Sequence, residues 1–142
     1  MRQLLIIVSA ILSLFFQGCG DKKPTQNDVI GTWTSSDSAK LELNKDGTFI
    51  GGRLPAEYFT FFTSKWDVEG KKVNGSGKWQ IDHGQGFEKV KLIFTKMEGK
   101  DSYGSYSVLI SSENGVLENK SPWYLFVWKE EEGGERYKFI KK

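Results

Sequence analysis

The chain has 142 residues. Because a domain has about 150 residues on average, this length predicts a single domain that is large enough to bury a core. Twenty Lys and Arg oppose eighteen Asp and Glu, and Arg2 is the only charge before Cys19. Without Arg2, nineteen positive charges face eighteen negative ones, so the basic excess typical of nucleic-acid binders is missing and no nucleic-acid partner is expected. The single cysteine excludes an internal disulfide.

The N-terminal residues indicate an export signal. One positive charge, Arg2, precedes the thirteen residues 4–16, which are apolar except for Ser9 and Ser13. A helix of that length falls short of the roughly 30 Å hydrocarbon core of a bilayer, so a transmembrane helix is not expected. A short apolar run that ends at a small residue is typical of a cleaved signal peptide, which we place at residues 1–18.

The pair Gly18-Cys19 at the end of this run resembles a bacterial lipobox. The resemblance implies that the thiol of Cys19 carries lipid and that Cys19 is the first residue of the mature protein, so the membrane is an expected partner through this N-terminal lipid. It also implies a place in the bacterial cell envelope. Gly20 after the cysteine, in place of Asp, favours the outer membrane in a Gram-negative source. An ordinary signal peptide with a cysteine nearby is the alternative.

The segment after the cysteine is polar. Residues 20–28 contain no aromatic or aliphatic side chain. Such a composition cannot pack into a core, so residues 19–28 are predicted to form a flexible tether. Residues 29–142 are then the folded domain.

From residue 29 onward the sequence predicts short strands separated by turns. The strands are predicted at residues 31–33, 39–44, 75–81, 88–97, 106–111, 123–129 and 136–140, together with the extended run that follows Asp46-Gly47 within residues 45–50. About eight strands without an internal repeat predict an all-β fold, a single small antiparallel β-barrel or sandwich. A helical turn is predicted only within residues 55–62, because Pro55 suits a first helical position.

Alternation and turn residues define the first hairpin. Leu41 and Leu43 share one face of their strand, because side chains of a strand point alternately to opposite faces. Asp46-Gly47 between two extended runs is a strong hairpin signal. The sequence therefore predicts a tight turn at these two residues.

No residue pattern predicts catalysis, a metal site or a cofactor. Glu42, Asn44 and Asp46 mimic part of an EF-hand loop, but the twelfth position is Arg53 and the flanks are strands, which excludes calcium. His83 is the only histidine, so a histidine cluster for zinc cannot form, and a solvated position in a loop is expected for it. We therefore expect no enzyme and no cofactor.

Aromatic side chains, 14% of the chain, are the remaining candidates for binding. Residues 57–62 place them on both faces of an extended segment, which is hard to bury whole. Such a segment can plug a barrel mouth, line an apolar cavity or form a partner surface, and core filling is the plain alternative. The candidate contact residues for a ligand or partner are Trp33, Tyr58, Phe59, Phe61, Phe62 and Trp79.

Gly31-Thr32-Trp33 on the first predicted strand resembles the start of the lipocalins and related calycins, in which the Trp packs across one end of the barrel. In that family an Arg near the last strand covers the Trp, and Arg136 is the only candidate by position. Alternation, however, puts Arg136 with Lys138 on the solvent face. The alternative interpretation of Trp33 is that it is an aromatic residue of the core without any special role.

The order of motifs along the chain resembles a group of small, uncharacterised bacterial lipoproteins with lipocalin-like domains. The matching motifs stand at residues 28–33, 46–49, 54–55, 75–79 and 136–139. The resemblance implies the fold and the envelope location, and it brings no agreed activity or ligand.

Two functions therefore stay open. The first is a lipid-anchored, non-enzymatic binding module for a small apolar ligand inside the barrel. The alternative is an interaction or inhibitor protein of the envelope, similar to an immunity protein, which binds another protein through an aromatic surface.

Overall fold

The computed structural model describes residues 22–59, 68–84, 86–99, 104–113, 120–129 and 134–142. Its elements in chain order are α1 (Gln26–Val29), β1 (Gly31–Thr34), β2 (Lys40–Leu43), β3 (Thr48–Pro55), α2 (Ala56–Phe59), β4 (Lys72–Asp82), β5 (Lys89–Met97), β6 (Ser105–Ser112), β7 (Trp123–Trp128) and β8 (Arg136–Lys141). The predictions for Cys19, Phe61 and Phe62, and for the signal peptide, lie outside the described residues. Within the described ranges no helix is long and apolar enough to cross a membrane.

The eight strands form one closed barrel. Each strand pairs antiparallel with the next along the chain, and β8 pairs antiparallel with β1. The all-β prediction is confirmed, and of its two forms the barrel is the one observed. Connections in such a barrel alternate between its two ends. The β2–β3, β4–β5 and β6–β7 connections share the end that also holds α1, which we call the Trp33 end; the other four connections surround the opposite end, which we call the mouth.

Alternation along the strands fills the barrel with apolar side chains. β2 buries Leu41 and Leu43 on one face, as predicted, and β8 buries Tyr137 and Phe139. Other large side chains of this core are Phe49, Leu54, Trp79, Leu92 and Phe94. Each fully buried side chain of this size contributes about 1.5–3 kcal/mol to stability, so the interior is the main source of the folding free energy.

The hairpin between β2 and β3 has the predicted turn. Gly47 has a φ of 80°, in the region that favours glycine, and its N–H donates to the carbonyl oxygen of Asn44 at 3.1 Å. Asp46 fixes the turn, because its Oδ1 accepts the backbone N–H of Thr48 at 2.9 Å. The Asp46-Gly47 prediction is therefore confirmed.

β5 bulges by one residue, Thr95, opposite a glycine of β4. The strand register shifts between Ser76 and Gly77, where the two backbones come close together. A Cβ added at Gly77 would lie 2.0 Å from the carbonyl oxygen of Ile93 and 2.9 Å from the Cα of Phe94. Only a residue without a side chain fits this position.

The helical turn α1 packs across the Trp33 end. The indole N–H of Trp33 donates to the carbonyl oxygen of Val29 at 2.7 Å, and the ammonium of Lys141 donates to the carbonyl oxygen of Asp28 at 2.8 Å. These bonds join α1 to β1 and β8. The turn begins inside residues 19–28, the segment predicted to be a tether.

Lys141, not Arg136, covers Trp33. The β1–β8 register places Lys141 directly opposite Trp33, and the lysine Nζ lies 5.5 Å from the centroid of the indole ring. Such a cation–π contact contributes about 0.5–2 kcal/mol. The prediction that Arg136 is the only candidate for this cover was wrong, because a lysine five residues later reaches the ring. Arg136 lies on the face of β8 opposite to the buried Tyr137, as alternation predicts.

Phe59, the last residue of α2, is inserted beneath the mouth. Its side chain is fully buried, and its ring centroid lies 5.8 Å from that of Tyr106 and 6.4 Å from that of Phe139. The helical turn predicted within residues 55–62 is present as α2. Its short length brings the chain across the barrel opening and leaves Tyr58 at the surface of the mouth.

Candidate functional site

A cleft of about 530 Å³ opens at the mouth of the barrel. It lies between the β1–β2 connection, the start of α2 and the beginning of β8, and its size is within the range of about 300–1,000 Å³ found for small-molecule sites. The side chains that give the cleft its chemistry are Asp37, Tyr58, Lys72, Arg136, Tyr137 and Lys138. We call this site the mouth cleft.

Asp37 is the centre of a hydrogen-bond network on one side of the mouth cleft. Its carboxylate accepts hydrogen bonds from the hydroxyls of Ser35 and Tyr137 and from the ammonium of Lys72. Partial desolvation acts to raise the pKa of Asp37, but the hydrogen bonds from Lys72, Ser35 and Tyr137 outweigh it and hold the pKa well below its usual value. Asp37 is therefore fully ionised at neutral pH.

Two tyrosine rings form an aromatic floor beside this network. The ring centroids of Tyr58 and Tyr137 are 5.3 Å apart. Desolvation, followed by the charge of Glu57, raises the pKa of Tyr58 to about 12. Desolvation and the hydrogen bond to Asp37 raise the pKa of Tyr137 further above its usual value. Both phenols stay neutral near pH 7, so with the ionised Asp37 they are poorly matched to proton transfer at that pH.

The opposite wall of the mouth cleft carries Arg136 on a set of rings from β7. The Arg136 guanidinium carbon lies 4.5 Å from the ring centroid of Phe126 and 4.9 Å from that of Trp128, and the guanidinium donates to the hydroxyl of Tyr124. We call Tyr124, Phe126 and Trp128 the aromatic clamp. The Nζ of Lys138 lies 4.9 Å from the ring centroid of Tyr124. Two cationic side chains of β8, Arg136 and Lys138, thus pack against the rings of the aromatic clamp.

The aromatic clamp is continued by Phe87 from the β4–β5 connection. The ring of Phe87 lies edge-on to Phe126, with 5.7 Å between centroids, and Phe87 is 40% exposed. It helps to bury Phe126 completely, although Phe126 points away from the barrel interior. The sequence carried a signal for this face, since alternate residues of β7 are aromatic, but the candidate residues predicted from the sequence did not include it.

The described candidate residues divide between the core and the mouth cleft. Trp33 and Phe59 are fully buried, and Trp79 is 4% exposed with its indole N–H donating to the carbonyl oxygen of Asn44 at 2.9 Å. Tyr58 lines the mouth cleft. The structure therefore does not bring these four residues to one surface.

His83 lies away from the mouth cleft. It belongs to the β4–β5 connection at the Trp33 end, and its Nδ1 contacts the carboxylate of Glu88. Its side chain is 52% exposed. The predicted loop position is confirmed, and the described part of the chain gives this histidine an acidic partner rather than solvent alone.

Comparison of the chain with protein-family models, with curated proteins and with solved structures finds no match. The geometry of the mouth cleft combines an aromatic floor, a fixed carboxylate and two cations on rigid rings.

Proposed function

We propose that this protein is a lipid-anchored binding protein of the bacterial cell envelope, with a lipocalin-like barrel that holds a small ligand in the mouth cleft. The observation that carries the proposal is the cleft itself, whose side chains are fixed by mutual contacts before any ligand arrives. Sites that are preformed in this way avoid part of the entropic cost of ordering their side chains on binding.

The filled interior supports a ligand at the mouth rather than deep inside the barrel. Phe59 is fully buried beneath the mouth, and Leu92 and Phe139 are fully buried further in. Protein interiors are close-packed, so a guest among these side chains would have to displace them. The apolar ligand expected from the sequence fits the Tyr58 side of the cleft better than the filled interior of the barrel.

The chemistry of the cleft supports binding rather than catalysis. Asp37 is held ionised, and Tyr58 and Tyr137 are held neutral, by the contacts described above. His83, the only histidine in the sequence, belongs to a connection at the opposite end of the barrel. The pKa values of Asp37, Tyr58 and Tyr137 are thus held away from neutrality, where general acid–base catalysis works best.

Lipidation of Cys19 would hold the domain close to a membrane by its Trp33 end. Lys23 lies beside the β4–β5 connection, with its Nζ 3.6 Å from a carboxylate oxygen of Glu88. Cys19 precedes Lys22, the first described residue, by three positions, which span at most about 11 Å of extended chain. Several acyl chains on one residue anchor a protein stably, since each buried methylene contributes about 0.8 kcal/mol.

The anchor is tested by Cys19→Ser in the organism or in a bacterial expression host. We expect the variant to lose its acyl mass and to leave the membrane fraction, because serine has no thiol to carry the lipid. Gly20→Ser is the matched control and should remain anchored. Intact-protein mass spectrometry together with membrane fractionation measures both properties. Acyl mass that persists in Cys19→Ser would contradict the anchor.

The mouth cleft is tested by native mass spectrometry of the full chain, purified from its membranes in mild detergent. We expect a small molecule to co-purify, and Tyr58→Ala to lower its occupancy at least about fivefold because the aromatic floor is lost. Ile50→Ala removes an exposed apolar side chain from β3, outside the cleft, and should retain the ligand. Protein that is always empty would count against the proposed function.

The same purification separates this function from a second candidate, an envelope interaction or inhibitor protein. Phe87 and Ile140 are 40% and 42% exposed, and exposed apolar side chains of this kind favour a protein partner. A polypeptide that co-purifies in place of a small molecule would favour that function.

A further inference from the structure

We propose that the mouth cleft selects organic anions that carry a flat apolar ring, carboxylates in particular, and that Arg136 is the residue that binds the anionic group. The inference rests on the proposed function, because it assumes that the mouth cleft is a binding site. It goes further in naming the class of ligand and the residue that selects it.

The described lining residues of the mouth cleft carry an excess of positive charge. Among them, four cations stand against two carboxylates, an excess of two charges. The cations are Lys72, Lys129, Arg136 and Lys138, and the carboxylates are Asp37 and Glu57. A cleft of one sign, with low-dielectric walls, concentrates ligands of the opposite sign.

Two of the four cations already have partners. Lys72 pairs with Asp37, and the Nζ of Lys129 lies 2.9 Å from a carboxylate oxygen of Glu135. Within the described ranges, no carboxylate oxygen lies within 4.0 Å of a side-chain nitrogen of Arg136 or Lys138. Among the described lining residues, the positive charge without a carboxylate partner therefore lies on the β8 wall of the cleft.

Arg136 is fixed in place before a ligand arrives. Its guanidinium lies over the rings of Phe126 and Trp128 and donates to the hydroxyl of Tyr124. A guanidinium has five N–H donors in a planar fork that matches a carboxylate, and one bond to Tyr124 leaves donors for a second partner. Because stacking already restricts the side chain, little further entropy is lost when it binds an anion.

The other part of the ligand follows from the opposite side of the cleft. Tyr58 is partly exposed there, its ring 5.3 Å from that of Tyr137, and Pro55 and Ile140 add further apolar surface. A flat ring stacks favourably on an aromatic face of this kind. One small molecule that has both a ring and a carboxylate can satisfy the two sides together.

The experiment measures the affinity of three probes that share one ring and differ in charge. They are indole-3-acetate, the neutral indole-3-acetamide and the cationic tryptamine, each titrated into the full chain in lipid nanodiscs and followed by ligand-observed NMR. We expect the acetate to bind about tenfold more tightly than the acetamide, as for a charge-assisted hydrogen bond, and tryptamine to bind most weakly.

Variants then assign the preference to Arg136. We expect Arg136→Gln to bring the acetate down to the affinity of the acetamide, and Arg136→Lys to keep part of the preference, since it retains charge without the fork. Lys138→Gln, which leaves the arginine stack intact, should lower acetate affinity by a smaller factor. Lys96→Gln, on an exposed lysine of β5 that does not line the cleft, is the matched control and should leave all three affinities unchanged.

The outcomes separate this inference from the proposed function. Equal affinities for acetate and acetamide would overturn the selection of anions and leave the cleft as a binding site. A preference for acetate that survives both Arg136→Gln and Lys138→Gln would overturn the role of the β8 wall. If none of the three probes binds, the inferred ligand class is overturned, whereas the proposed function of the cleft is decided by the co-purification experiment.

Discussion

Gly77→Ala is expected to destabilise the protein by about 3 kcal/mol or more. The added Cβ would lie 2.0 Å from the carbonyl oxygen of Ile93 and 2.9 Å from the Cα of Phe94, distances at which something must move. The obstructing atoms belong to the backbone of β5, not to a flexible side chain. Relief would require β4 and β5 to separate at the bulge, which would break ladder hydrogen bonds of a closed barrel.

Equilibrium unfolding in urea, followed by circular dichroism, measures this effect. Gly134→Ala is the matched control, because a Cβ at Gly134 meets no atom within 4 Å and the residue has no positive φ. It should change the free energy of unfolding by less than about 0.5 kcal/mol. A Gly77→Ala protein with the stability of the Gly134→Ala protein would contradict the close approach of the two strands.

Trp33→Ala is expected to lower the free energy of unfolding by about 3–5 kcal/mol. Trp33 is fully buried, its indole N–H holds the carbonyl oxygen of Val29, and Lys141 lies over its ring. Alanine would leave a cavity at this end of the barrel and an unpaired carbonyl in α1. The total free energy of unfolding of a small domain is about 5–15 kcal/mol, so this loss is a large share of the stability.

Trp33→Phe divides that loss between its causes. Phenylalanine keeps an aromatic ring but lacks the N–H, so it should be destabilised by less than the alanine variant. Trp128→Ala removes a tryptophan that is only partly buried and should cost less than half as much as Trp33→Ala. Thermal and urea unfolding of the three variants give the order. Equal effects of Trp33→Ala and Trp128→Ala would show that Trp33 does not close the barrel end.

Local pattern was enough to predict the strands and the first hairpin. Leu41 and Leu43 face the core because side chains alternate along a strand, a rule that needs no knowledge of the partner strand. Gly47 is required for the turn because its φ is positive, and its neighbour Asp46 fixes the turn by accepting the backbone N–H of Thr48. Both signals lie within a few residues of what they determine.

Features that depend on which strands are neighbours could not be predicted from the sequence. Lys141 covers Trp33 only because barrel closure pairs β8 with β1, whereas sequence position alone pointed to Arg136. The steric need for glycine at position 77 is apparent only once the backbone of Ile93 is known to lie against it. Each relation joins residues that are distant in sequence, so periodicity cannot reveal it.

The mouth cleft was hidden for the same reason. Tyr58 was identified as a contact candidate because it stands in an aromatic run. Its partner Tyr137 and the carboxylate of Asp37, however, lie near opposite ends of the domain's sequence. Arg136 was placed on the outer face by alternation, and only the register with β7 shows that Phe126 and Trp128 hold it there.

If Cys19 carries the proposed lipid, the Trp33 end sets the direction of the barrel relative to the membrane. Lys23 contacts Glu88 at this end, so a lipid on Cys19 would tie the barrel to the bilayer by its base, with the mouth cleft at the opposite pole. Solutes in the aqueous compartment would then reach the cleft without passing between protein and membrane. A ligand in the proposed site would then enter and leave on the side of the protein that faces away from the bilayer.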